Sequence, residues 1–279
     1  MRTRYSFSSR RTRKTKNIRK QRKKYPDVLQ EIVGSSDIIL EVLDARFIEE
    51  TRNLEIENKI KNKKKILIYI LNKSDLIYKL KKKDMSKLIP NVLVSCTKRR
   101  GIKELRDLIK KESRKLNKSL EKKYDKILVG VIGYPNTGKS SLINLLVGKS
   151  VAGTGAEAGF TRGLQKLKLN QDIHLLDSPG VIPKKEYSSI KNEALAKHTI
   201  VGGRSFSQIK NPEMVIDVIM KKFPDVLEKH YKVKSNGDAE ILLEKLGKKL
   251  NYLKKGGVVD EDKTARKILK EWQIGKIRV

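Results

Sequence analysis

The chain has 279 residues, and its 65 Lys and Arg against 32 Asp and Glu leave a formal net charge of +33. Such an excess goes beyond solubility and implies a polyanionic partner, RNA first, while the length leaves room for two small cores. No apolar run approaches the ~20 residues that cross a bilayer and no apolar signal-peptide core opens the chain, so a cytoplasmic location without membrane contact is expected; a single cysteine, Cys96, excludes an internal disulfide and a cysteine-built metal site.

Residues 1–24 hold twelve Lys or Arg and no acid, the composition of a solvated tail that neutralises phosphates and orders on RNA. From about Pro26 a regular alternation begins. Apolar, β-branched runs at 37–43, 65–71, 91–95, 127–132, 164–169 and 172–177 predict six strands. Helical spacing follows the third run at Ile102, Leu105, Leu108 and Ile109, and the fourth at Leu142, Leu145 and Leu146. Only a polar turn at Asn170-Gln171 separates the last two runs, which makes them an antiparallel hairpin on an otherwise parallel sheet. This predicts an α/β domain over 25–187. Beyond it, Asn211-Pro212-Glu213 opens a helix, and Asp238 and Asp260 are placed to cap two more. Ala265, Ile268, Leu269 and Trp272 share one face of the last helix, which stops at Gly275. Residues 188–279 are therefore expected to form a small all-helical domain with Trp272 in its core.

The chemistry is concentrated in short motifs. Gly133-Tyr134-Pro135-Asn136-Thr137-Gly138-Lys139-Ser140 matches the phosphate loop G-x-x-x-x-G-K-[ST] and lies between a strand-like and a helix-like run. In the loop from Pro135 to Ser141, the successive N–H groups after the proline can converge on phosphate oxygens, Lys139 can reach the β- and γ-phosphates, and the Ser140 hydroxyl can ligate Mg²⁺. Asp177-Ser178-Pro179-Gly180 ends the sixth run, so that Asp177 can hold Mg²⁺ through water and the Gly180 N–H can sense the γ-phosphate. The glycine-rich stretch between them offers Thr161 as the hydroxyl that closes on Mg²⁺. Asn72-Lys73-Ser74-Asp75 follows the second strand. The Asp75 carboxylate can accept both N1–H and the 2-amino group of guanine, a pair that adenine lacks. Asn72 would tie this loop to its neighbours, Lys73 would lay its stem on the base, and Ser95-Cys96-Thr97 would offer N–H groups to guanine O6.

The base reader thus precedes the phosphate loop, the reverse of ordinary GTP-binding cores. Numbered as in those cores, strands four to six come first and one to three follow: a circular permutation, with the lysine-rich stretch at 110–126 in place of the usual chain ends. This order resembles the YlqF/YawG family of circularly permuted GTPases, ribosome-assembly factors of bacteria, archaea and nucleoli. Val42-Leu43-Asp44-Ala45-Arg46 and Thr51-Arg52-Asn53 look like the D-A-R and R-N segment of that family. The resemblance implies GTP and GDP as ligands with Mg²⁺, a ribosomal precursor and its rRNA as partners, and a monomer away from the ribosome. Val181 stands where Ras-like enzymes carry a water-orienting glutamine, which implies slow turnover. Asn136 matches the P-loop asparagine of potassium-dependent relatives and implies a K⁺ site. His174, His198 and His230 lie in no catalytic motif and are expected to be structural. Three other readings stay open: a GTPase acting on another RNA, an RNA-binding protein that holds GTP with little turnover, and an ATP-using enzyme with a basic tail, which Asp75 disfavours.

Overall fold

The computed structural model describes residues 28–78, 85–119, 126–148, 165–177, 198–202 and 205–279. Six strands form one sheet: β1 (Ile38–Asp44), β2 (Ile66–Asn72), β3 (Asn91–Leu93), β4 (Ile127–Gly133), β5 (Gln165–Lys168) and β6 (Ile173–Asp177), in the spatial order β3-β2-β1-β4-β6-β5. Every pairing is parallel except the β5–β6 hairpin, as the polar turn at Asn170 dictates. Asn170 itself closes that turn, its Oδ1 accepting the N–H groups of Asp172 and Ile173.

Helices cover both faces, which is why the central strands read as continuous apolar runs. On one face, Leu40, Val42, Ile70, Val129 and Val131 pack against Leu105 and Ile109 of α4 (Ile102–Ser119) and Leu142, Ile143 and Leu146 of α5 (Lys139–Val147). On the other, Ile39 and Ile132 meet Ile32 and Val33 of α1 (residues 28–35) and Ile56 and Ile60 of α3 (Leu54–Asn62). A short α2 (Ile48–Thr51) leaves the end of β1.

One expectation is corrected: the third strand ends at Leu93 rather than 95, because the backbone of Ser95 turns to pair with Arg100. Within the lysine-rich stretch that stands in place of the usual chain ends, α4 runs on to Ser119, since Ile109 and the half-buried Leu116, seven residues apart, continue its apolar stripe. Residues 120–125 lie outside those described.

Four carboxyl-terminal helices share a second core. These are α6 (Pro212–Lys222), α7 (Val226–Tyr231), α8 (Ala239–Lys249) and α9 (Glu261–Gln273). Asp238 and Asp260 cap α8 and α9 by accepting backbone N–H groups, and Pro212 occupies the first turn of α6 as anticipated. Ala265, Ile268, Leu269 and Trp272 are fully buried. Trp272 stacks on Phe47, ring centroids 5.9 Å apart, and its Nε1 donates to the Ile200 carbonyl. Phe47 and Tyr134, both from the α/β part, belong to this helical core. The expected boundary between residues 187 and 188 lies outside the described residues.

Candidate nucleotide site

Strand β4 delivers the chain into the turn 134–138, and α5 begins at Lys139. Gly133 and Gly138 have φ of +150° and +97°. A Cβ on Gly138 would stand 2.2 Å from Asn72 Nδ2, and one on Gly133 would stand 2.5 Å from the Val42 carbonyl oxygen. Only glycine fits either place. The loop curls around its own lysine: Lys139 Nζ donates to the carbonyls of Gly133 at 3.1 Å and Tyr134 at 2.9 Å. Burial lowers the Lys139 pKa to about 8, against the pull of the Asp177 carboxylate. Thr137 Oγ1 donates to the Tyr134 carbonyl at 2.9 Å and stiffens the turn. Pro135, Asn136, Ser140 and Ser141 complete the loop and the first turn of α5. N–H groups at a helix start, with a buried ammonium inside the curl, fit the phosphate chain of a nucleotide.

Asp177, fully buried, ends β6 in register with Val131 of β4, the strand that leads into the loop. Its carboxylate therefore lies on the phosphate-loop side of the sheet, at the carboxyl edge where α/β sheets meet ligands. Thr161, Gly180 and Val181 lie outside the described residues. No group of three or more His, Cys, Asp or Glu suited to a metal occurs among the described residues, so a divalent ion here would complete its shell from phosphate, hydroxyl and water oxygens.

The loop expected to read the base comes from the neighbouring strands. Asn72 ends β2, its side chain buried; Nδ2 donates to the Thr137 carbonyl at 2.7 Å and Oδ1 accepts the Cys96 N–H at 3.3 Å. One amide thus joins the phosphate loop, the second strand and the turn after the third. Lys73 takes the left-handed conformation, φ +61°, and turns the chain into a short 3₁₀ segment, Ser74–Leu76. The Ser74 N–H donates to the Val94 carbonyl. Asp75 Oδ1 accepts the Ser95 hydroxyl at 2.6 Å, and Ser95 Oγ accepts the Lys98 N–H. Burial pushes the Cys96 thiol up to about 12, so Cys96 acts through its backbone rather than as a thiolate. Thr97 is exposed in the adjoining turn.

The D-A-R segment, for which the sequence leaves structural ion pairing at the strand end and a functional role equally open, forms an ion pair beside this loop. Asp44 is fully buried and accepts Arg46 Nε at 3.0 Å, Arg46 Nη2 at 2.9 Å and Lys73 Nζ at 2.8 Å. Burial alone would raise its pKa; the charges of Arg46 and Lys73 outweigh that and hold it well below the usual carboxylate range. The remaining Arg46 nitrogen, Nη1, donates to the Trp272 carbonyl at 3.0 Å, at the end of α9. One carboxylate therefore ties Lys73 to the helical core through Arg46. The R-N pair is local scaffolding: Arg52 grips Glu57 through two nitrogens, at 2.9 and 2.7 Å, and Asn53 caps α3.

The phosphate loop also touches residues 198–202, which no local pattern announced. Asn136 Nδ2 donates to the Gly202 carbonyl at 2.7 Å, and the Tyr134 hydroxyl bonds His198 Nδ1. His198 is buried with a structural partner, and His230 lies 3.9 Å from Glu271.

Comparison with known proteins agrees with this architecture. A family model described as 50S ribosome-binding GTPase matches residues 128–249. An uncharacterized GTP-binding protein of Methanocaldococcus jannaschii is 38% identical over 256 residues, covering 90% of this chain and 65% of its own length. Nucleolar GTP-binding protein 2 of Neurospora crassa is 33% identical over 266 residues, covering 92% of this chain and 41% of its own length. The chain thus spans less than two thirds of these relatives. Among solved structures, GNP-bound YlqF from T. maritima superposes with a TM-score of 0.58 at 23% identity, over 91% of this chain and 94% of that one. Strand order, motif order and this superposition show that the chain has the circularly permuted P-loop fold of YlqF.

Proposed function

We propose that the chain binds GTP and GDP with Mg²⁺, hydrolyses GTP slowly, and acts as a switch in assembly of the ribosome, in particular its large subunit, by binding rRNA. The observation that carries the nucleotide half is the Asn72 amide, bonded at once to Thr137 of the phosphate loop and Cys96 of the base-side turn. In this reading Asp75 accepts the two guanine donors, the Ser95 hydroxyl orients its carboxylate, and the Thr97 N–H faces O6, the Cys96 N–H being held by Asn72 Oδ1. Asn72, Lys73 and Ser74 shape the base wall. Pro135 to Ser141 enclose the phosphates, with Lys139 as the compensating charge. Ser140, Thr161 and Asp177 would hold Mg²⁺, which neutralises phosphate charge, and Gly180 would sense the γ-phosphate. Val181 in place of a glutamine leaves attacking water without a side-chain guide, hence the slow turnover.

The ribosomal half rests on the +33 charge and on the names of the relatives, nucleolar GTP-binding proteins and a 50S ribosome-binding GTPase family. The basic tail of residues 1–24 and the helical unit from 188 onward would dock on the particle as a monomer, in the cytoplasm. The second switch leads by sequence toward the helices, so nucleotide state would set their placement. Co-sedimentation tests this: ribosomal precursor subunits are expected to retain the chain with a non-hydrolysable GTP analogue and release it with GDP, and equal retention in both states contradicts the switch. Asn136 further suggests K⁺ as a substitute for the missing charge at the phosphates. GTP turnover is expected to be faster in KCl than in NaCl at matched ionic strength, and equal rates rule that role out.

A further inference from the structure

We infer that a basic cleft between α4 and the end of α5, away from the nucleotide loops, is a docking groove for the phosphate backbone of an RNA strand. The cleft has a volume of 810 Å³ and is lined by Arg99, Lys103, Arg106 and Lys110, with Asp107 as its one carboxylate. This inference rests on the RNA-binding reading above and names a surface for it.

Several surface lysines are neutralised in place by a carboxylate, as in Lys59–Glu55, Lys221–Asp217, Lys229–Asp225 and Lys248–Glu244. Arg99, Lys103 and Lys110 are exposed and take part in no ion pair within 4.0 Å among the described residues. Arg106 is held differently. Its Nη2 donates to the carbonyls of Leu145 at 2.9 Å and Leu146 at 2.8 Å, at the end of α5. That anchor fixes the guanidinium plane, while Nε and Nη1 make no hydrogen bond to a described residue. A planar donor fork held in advance is suited to phosphate oxygens, and little side-chain entropy is lost on contact.

Spacing suits a strand rather than a point charge. Lys103, Arg106 and Lys110 are three and four residues apart, so they step about 4.5 and 6 Å along one helix face, a progression that can follow successive phosphates. Arg99 adds a fourth cation from the turn after Ser95, held in the left-handed conformation at φ +53°. Both walls of the cleft grow from nucleotide loops: Arg99 from the turn that starts at Ser95, and Gly148 from the helix that starts at Lys139.

The test uses the full chain, with poly(U) RNA and a ribosomal RNA helix as probes. Arg99→Gln/Lys103→Gln/Lys110→Gln is compared with Lys59→Gln/Lys221→Gln/Lys229→Gln, which removes equal charge from lysines already paired. For the cleft variant, the plot of log affinity against log salt is expected to be shallower by about 2, the loss of three phosphate contacts, with GTP affinity unchanged. Peptides containing Lys103 or Lys110 are expected among the RNA crosslinks. The paired-lysine variant is expected to keep the wild-type slope. Equal slopes for wild type and cleft variant, equal losses in both variants, or tighter binding of poly-glutamate than RNA at the cleft would overturn the inference. Failure of the wild-type chain to bind RNA at all would overturn the RNA-binding reading, and this groove with it.

Discussion

Lys139 shows how a single residue is prepared for its ligand. Its ammonium is held by the carbonyls of Gly133 and Tyr134, and burial lowers its pKa to about 8 before any phosphate arrives. Phosphate oxygens would restore the charged form. Nucleotide binding should then take up a proton above pH 8, and GTP affinity is expected to be flat below pH 8 and to fall as pH rises beyond it, by up to about ten-fold per unit. The stability of the nucleotide-free chain carries the opposite sign. Because the unfolded lysine binds its proton more tightly, the penalty of the buried charge is present below pH 8 and is relieved toward the unfolded value of 10.5. Calorimetric titration at several pH values checks the first trend and denaturant unfolding the second. A GTP affinity independent of pH between 7 and 9.5 would show that Lys139 does not meet phosphate.

At the scale of elements, the ends of strands matter more than their middles. Asp44 at the end of β1 gathers Arg46 and Lys73, and Arg46 passes the contact to Trp272 at the end of α9. Breaking a buried ion pair by removing one partner costs about 3–5 kcal/mol, so Asp44→Asn is expected to lose roughly that stability at neutral pH. Its depressed pKa means the contribution is present above the ordinary carboxylate range and disappears only as acid protonates Asp44. Urea unfolding of the variant measures it, and a loss below about 1 kcal/mol would reduce the pair to a surface ornament. The strands themselves were legible from sequence to within one or two residues, because β-branched runs and polar turns are local signals. The helical caps Asp238 and Asp260 and the buried face around Trp272 were legible for the same reason. The contacts of Arg46 with Trp272, Tyr134 with His198 and Asn136 with Gly202 join residues 226, 64 and 66 positions apart, and no periodicity reports such pairings. The end of α4 had no prediction from sequence: Ile109 and Leu116 lie on one stripe, but the surrounding lysines obscure it.

At the scale of the whole molecule, reordering the chain changes which parts can pull on each other. The sheet order β3-β2-β1-β4-β6-β5 brings the early Asn72–Asp75 loop beside the later phosphate loop, and Asn72 joins them. The helical core is fastened to the α/β part by Phe47, Tyr134 and the Arg46 bond to Trp272, so both nucleotide loops have a physical connection to it. Motif order showed the permutation from sequence alone; the fastening needed the fold. The most direct test of a single guanine pocket is the nucleotide preference of Asp75→Asn. An amide at this position offers a donor in place of one acceptor, which suits the 2-keto group of xanthine and opposes the 2-amino group of guanine. GTP affinity is expected to fall by about a hundred-fold, from the loss of charged hydrogen bonds, with a gain for xanthosine triphosphate and with Lys139→Ala abolishing binding of either. An Asp75→Asn variant that binds GTP as tightly as the unaltered chain, and gains nothing for xanthosine triphosphate, would contradict the account.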